Sequence, residues 1–422
     1  MFLTLATILF ALLGTPLFAV IAFIALYAFH GVGIDSSAIM VEMYRLASAP
    51  VLLAIPLFTY TGYVMAESGV PRRMMNLSNA FLGGLPAGLA YVALVSCAFF
   101  TAFTGASGVT IIALGGLLYP ILLKDGYGKL FSLGLMTSSG SLGLLFPPSL
   151  PLILYGLVSN AQVDKLFIAG IVPGTLMILI IGAYSAWKSP REKGADHDTS
   201  LSARLAALRA SAWELPIPVI IFGGIYGGFT TVTEAAAISA FYVTVAETFI
   251  KKDLGLKDIP KIMRESMVLV GGILIILGMA MGLTNFLIDA EIPMKIFAFI
   301  REYIDSKLTF LMLLNIFLLI VGCMMDIFSA TMVVVPIIVP IAQSFGVDLI
   351  HLGIIFLTNM EIGYSTPPVG INLFIAGSRF EEPVASLYRA VLPFIVLRLI
   401  GLTFITYVPE LSLYPLRLFW GE

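Results

Sequence analysis

Two eight-residue segments, GLLFPPSL at 143–150 and GYSTPPVG at 363–370, repeat the same backbone chemistry 220 residues apart. In each, a double proline removes two N–H donors and disfavours helix in the residue before it. In hydrocarbon, carbonyls freed this way are tolerated only where they are buried in protein or line a cavity. Carbonyl and hydroxyl oxygens are also the ligands that a dehydrated Na⁺ takes. The half-helix that follows a break offers unpaired N–H groups and a positive dipole end to an anion. The competing reading is a plain proline kink; two breaks at matched positions favour a site. Two further segments carry chemistry. FTGASGVT (103–110) has two glycines and three hydroxyls, and GCMMDIFSAT (322–331) places Asp326 inside an apolar run. A carboxylate at membrane depth is a functional-site hypothesis by default, and Asp326 is equally placed to cap the helix after it.

Such residues need a scaffold of membrane helices, and the composition supplies one. The 422-residue chain is 59% hydrophobic and 11% charged, with mean hydropathy +1.02. Soluble domains carry roughly a quarter charged residues, so a water-soluble globular class is excluded. A net charge of −2 gives no reason to expect nucleic acid. Cys97 and Cys323 lie in apolar runs and are read as small buried hydrophobes, not as a disulfide or metal pair. Met1 to Phe29 lacks a basic start and a small-residue cleavage site, and is read as a first span.

Hydropathy with Gly, Pro and charge punctuation predicts crossing segments at 2–29, 47–66, 130–158, 166–187, 215–228, 232–250, 266–288, 350–377 and 384–408. The apolar regions 87–123 and 308–343 have small or polar interruptions near their middles and are predicted to be re-entrant hairpins. With a cytoplasmic N-terminus, that arrangement puts sixteen of the 23 basic residues inside and six outside, leaving Arg398 within the last span. The first hairpin then opens inward, the second outward, and the C-terminus lies outside. Arg398, at mid-span, needs an acidic or carbonyl partner or a wet cavity, and a structural pairing inside the assembly is expected rather than substrate contact.

Sliding the chain by 220 residues aligns Pro120 with Pro340, Gly126 with Gly346, Gly143 with Gly363, Pro147 with Pro367, Pro148 with Pro368 and Pro173 with Pro393. Each half reads hairpin, turn, broken helix, next helix, with the halves starting on opposite sides. The predicted fold class is therefore an all-α integral membrane protein with an inverted repeat, two re-entrant helical hairpins and two broken helices, the layout of secondary transporters.

The residues quoted, with LFIAGIVPG (166–174) and TTVTEAAAIS (230–239), resemble the large membrane subunit of the TRAP (tripartite ATP-independent periplasmic) transporters over essentially the whole chain. The resemblance implies an elevator-type carrier driven by Na⁺ that imports small organic acid anions (carboxylates, sialic acid or sulfonates) across a bacterial inner membrane. It implies a first Na⁺ site between Gly105, Ser107 and the Gly143–Ser149 break with Pro147. A second would lie between Asp326 and the Gly363–Pro368 break, with Thr366 and Pro367. Ser107 and Thr366 would also face substrate. The family's acidic residue maps to Glu234, with Val232 where proline is usual. Glu361 falls outside the family pattern and leaves proton coupling or a charge-selective entrance open, against a solvated cavity wall.

The implied domains are scaffold helices and an arm over 1–82, transport-domain elements over 83–164 and 307–378, scaffold over 165–306 with a cytoplasmic linker at 188–214, and a terminal scaffold helix over 379–422. The implied partners are a small four-helix membrane subunit and a periplasmic substrate-binding protein. The alternative is a stand-alone dicarboxylate/Na⁺ symporter or Na⁺/H⁺ antiporter of related architecture. An intramembrane enzyme is disfavoured, since neither HExxH nor Gly-x-Ser-x-Gly occurs.

Overall fold

The computed structural model describes residues 15–33, 35, 37–190 and 200–420, and among these the regular structure is entirely helical. The start of the first predicted span and the linker residues 191–199, His197 included, lie outside them. The first half runs α1 (Leu17–Gly31), α2 (Ser37–Ala47), α3 (Ala54–Glu67), α4 (Val70–Leu82), α5 (Gly88–Thr104), α6 (Ser107–Lys124), α7 (Lys129–Ser139) and α8 (Leu150–Ser159). Next come α9 (Val163–Lys188), α10 (Leu201–Ala210), α11 (Pro216–Tyr226), α12 (Val232–Val245) and α13 (Ile259–Asp289). The second half closes with α14 (Ile292–Tyr303), α15 (Lys307–Met324), α16 (Ile327–Ser344), α17 (Leu349–Gly363), α18 (Ile371–Phe380), α19 (Val384–Tyr407) and α20 (Glu410–Trp420).

The shift of 220 residues carries α4 onto α14, α5 onto α15, α7 onto α17, α8 onto α18 and α9 onto α19. Both predicted hairpins are present. Gly105 turns the first at φ +63, a left-handed conformation that glycine adopts without a Cβ clash. The second turns at Met325–Asp326, and its two ends meet where Lys307 Nζ donates to the Gly346 carbonyl at 2.6 Å. Both helix breaks are present too, and the Pro147–Pro148 and Pro367–Pro368 bonds are both cis. Helices α14 and α20 were not expected: each interleaves charged or proline residues with apolar ones, which lowers hydropathy below that of a span.

α3, α12 and α13 form one body, α3 packing on both of the others, with Tyr60 Oη 3.0 Å from Thr244 Oγ1. α9 packs most on the terminal helix α20, then on α19, α17 and the Leu142–Leu145 turn, while α19 packs most on α7. At Gly170 of α9 an added Cβ would stand 2.1 Å from the Leu145 carbonyl, and at Gly134 of α7 one would stand 2.2 Å from that of Ala390. Phe131, Tyr184 and Phe394 tie α7, α9 and α19 together in one aromatic cluster. Hydropathy marks a span but not which neighbour it packs on.

The arm α4 is fastened at its start. Arg73 reaches Glu247 at 2.8 Å and also pairs with Glu214 and Asp253, three carboxylates at one end of the α11–α12 body. Burial works against the Asp253 carboxylate, but the Arg73 guanidinium holds it below the usual range.

Candidate functional site

Each hairpin tip sits on the helix break of its own half, and glycine allows the approach. An added Cβ at Gly143 would lie 2.2 Å from the Ala98 carbonyl of α5, and one at Gly363 would lie 2.4 Å from the Gly322 carbonyl carbon of α15. Polar contacts fix the register. In the first half, Thr101 Oγ1 donates to the Gly140 carbonyl at 2.8 Å and lies 2.6 Å from Thr110 Oγ1. In the second, the Gly370 N–H donates to the Cys323 carbonyl at 3.0 Å, and the Ile327 N–H to Tyr364 Oη at 2.6 Å.

Gly105, Ser107, Gly143, Pro147 and Ser149 are all buried. Ser149 caps α8: its hydroxyl accepts from the Leu152 N–H at 3.4 Å and donates back to the Leu144 carbonyl. Ser107 donates to Asn372 Oδ1 at 2.7 Å, a contact spanning 265 residues that joins the first tip to the start of α18 in the other half. Asn372 is fully buried, and sequence reasoning passed over it. An amide two residues beyond Gly370, in an otherwise apolar run, was the available signal.

At the second site Asp326 is half-buried. Its Oδ1 accepts the Phe328 and Ser329 N–H groups, each at 3.0 Å, while the Ser329 hydroxyl donates to Oδ2. The carboxylate therefore caps α16. Thr366 Oγ1 donates its proton to the Ile362 carbonyl at 2.8 Å, which leaves its own lone pairs as acceptors. Asp326, Gly363, Thr366 and Pro367 thus belong to one tip-and-break unit. It is more open than the first, because Pro368 and Val369 are exposed.

Glu361 does not line an aqueous entrance or a solvated wall. Its side chain is fully buried and pairs with Arg398 at 2.8 Å. From His351 to Gly363 every residue of α17 is buried. Arg398 has the internal acidic and carbonyl partners expected of it.

Glu234 stands apart from both breaks. It closes a capping box at the start of α12: the Thr231 N–H donates to Glu234 Oε2 at 2.7 Å, and the Glu234 N–H to Thr231 Oγ1 at 3.2 Å. The cap forms without the usual proline. Glu234 also lines a cavity of about 740 Å³ between the α8–α9 turn (Asn160, Gln162, Asp164) and the α11–α12 turn. Cys97 and Cys323 are free and buried, as read from sequence. Among the described residues no group of three or more His, Cys, Asp and Glu is placed to hold a metal ion.

The sequence matches the family model described as the DctM component of the tripartite ATP-independent periplasmic transporters over residues 1–411. It is 37% identical to the C4-dicarboxylate TRAP transporter large permease protein DctM of Pseudomonas aeruginosa, covering 89% of this chain and 88% of that protein. It is also 37% identical to the isethionate TRAP transporter permease protein DctMQ of Oleidesulfovibrio alaskensis over 86% of this chain, which spans 58% of the longer protein. Identity to the ectoine/5-hydroxyectoine TRAP transporter large permease protein UehC of Ruegeria pomeroyi is 31%, covering 87% and 86%. Among solved structures, the fold is similar to the YdaH transporter of Alcanivorax borkumensis, with a TM-score of 0.62 at 14% identity over 91% of this chain and 88% of that one.

Proposed function

Because the chain belongs to the DctM family of tripartite ATP-independent periplasmic transporter components, we propose that it imports small organic acid anions with Na⁺ by an elevator movement. The observation that carries this reading is the pair of hairpin tips seated on double-proline helix breaks, one of them bearing Asp326. One carboxylate among neutral carbonyl and hydroxyl oxygens suits a monovalent hard cation; a divalent site would gather more charge. The cation would lie by Gly105, Ser107 and the 143–149 break in one half, and by Asp326, Thr366 and the 363–368 break in the other. The anion would take the donors between the tips, where Ser107, Asn372 and the start of α18 meet.

The moving body would be the two hairpins and broken helices together with α9 and α19, and the fixed body α3 and α11–α13. Carboxylates and sulfonates are the anion classes that the names of the relatives suggest. A small four-helix membrane subunit and a periplasmic binding protein complete the proposed assembly in a bacterial inner membrane. The proposed orientation has the N-terminus cytoplasmic and the C-terminus outside, so the cavity beside Glu234 opens toward the binding protein.

Uptake into proteoliposomes holding both membrane subunits tests the reading. Accumulation of a labelled C4-dicarboxylate or isethionate is expected only with binding protein outside and an inward Na⁺ gradient. Equal uptake with choline in place of Na⁺ removes cation coupling. Equal uptake without the binding protein favours the stand-alone symporter instead.

A further inference from the structure

We infer that the Arg398–Glu361 pair is a positioning device that couples the two helix breaks, so that a cation held at one is felt at the other. The cation itself rests on the Na⁺ reading above; the link rests on geometry. Residues 141 and 361 are one repeat apart, yet Ser141 Oγ lies 3.3 Å from the Glu361 carbonyl oxygen. Equivalent positions that touch mark the internal two-fold axis. Arg398 enters this point from α19. Its Nη2 lies 2.9 Å from Ser141 Oγ and 2.8 Å from both the Glu361 carbonyl oxygen and Oε1, sharing its two N–H groups among the three acceptors, and its Nη1 donates to Ser365 Oγ at 3.3 Å. Ser141, Glu361, Ser365 and Arg398 are all fully buried. One guanidinium therefore grips the residue before the Leu142–Leu145 turn of the first break, the last turn of α17, and the second break itself.

The repeat supplies its own control. One period before Arg398 stands Ile178, and one period before Glu361 stands Ser141. The half lacking both charges still builds a hairpin, a cis-proline break and a following helix, so the fold does not require them. A buried ion pair also adds little net stability over apolar residues of the same volume. What the planar fork of an arginine does supply is a fixed mutual geometry for the groups it binds. Each tip touches its own break through Thr101 and Gly140 or Cys323 and Gly370, and Arg398 touches both breaks. The path from tip to tip is continuous, and linkage makes its effect reciprocal.

The test is hydrogen–deuterium exchange of the purified membrane complex, following the tip segments 103–110 and 322–331 in Na⁺ against choline. Wild type should show Na⁺-induced protection at both tips, and Asp326→Ala should remove it at both. In the double variant Arg398→Leu/Glu361→Leu, which fills the space as Ile178 does, Asp326→Ala should remove protection at 322–331 only. Its Na⁺ activation of uptake should also lose cooperativity, the Hill slope falling toward 1. Glu361→Gln, which keeps shape and hydrogen bonds but drops the charge, should weaken the long-range effect severalfold and serves if the double variant does not assemble. Protection at 103–110 that still depends on Asp326 in the double variant, or in Glu361→Gln at full strength, overturns the coupler. Wild-type tips indifferent to Na⁺ overturn the cation reading and this inference with it, a result visible before any variant is made.

Discussion

The two helix breaks share a skeleton and differ in charge and access. Both carry a cis Pro-Pro bond, both receive a hairpin tip, and both need glycine where the tip backbone lands. The first is neutral and sealed: Gly105 turns its tip, and Gly143 to Ser149 are buried except for a half-buried Phe146. The second has Asp326 at its tip, Glu361 and Arg398 behind it, and Pro368 and Val369 exposed in front. Duplication thus fixed the backbone oxygens twice, and charge entered one copy only. The closed copy is suited to holding geometry, and the charged, open copy to sensing what arrives.

That contrast is most directly broken at Asp326. Asp326→Ala should assemble normally and lose Na⁺-driven uptake by at least about tenfold, since both a cap and a charged ligand go; Asp326→Asn should keep partial uptake with weakened Na⁺ dependence. Uptake by Asp326→Ala with an unaltered Na⁺ concentration dependence would falsify the charged-sensor role and leave the cap alone. Next in size are the glycine contacts. Gly143→Ala and Gly363→Ala should each lower stability by about 1–3 kcal/mol as the tip is pushed off its break. The sealed break should suffer more, and melting of the purified complex shows whether it does. Smallest is Ser107→Ala, which deletes the hydrogen bond to Asn372 at a cost of about 1 kcal/mol. A fewfold weaker anion affinity and a shift of Na⁺ activation to higher concentration are expected, since Ser107 stands at both proposed sites; no change in transport would place both elsewhere.

Much of this was legible in the sequence because it is written in backbone-specific residues. Pro-Pro pairs, tip glycines and a lone carboxylate announce breaks and turns wherever they occur, and the 220-residue register located both copies. Side-chain partners across the chain were not legible. Arg398 demanded a partner, but nothing in the order of residues selects Glu361 over another acid, and Ser107 gives no hint of Asn372, 265 residues away. For Glu361 the sequence leaves proton coupling, a charge-selective entrance and a solvated wall open, because the order of residues does not show how α17 packs; its burial along the whole of that helix is visible only in the structure. The placement of α9 and α19 was hidden for a related reason, since an apolar helix surface reads alike against lipid, scaffold or a broken helix.

Where α3 crosses the first hairpin, Gly62 lies so close to the end of α5 that an added Cβ would stand 2.4 Å from the Phe103 carbonyl and 2.6 Å from the Thr104 Cα. In the proposed elevator this crossing would be a bearing surface, and its smoothness would govern how fast the carriage travels rather than where it comes to rest. A single methyl there would act as a brake, adding to the barrier of every stroke while leaving the affinities at either end of the track alone.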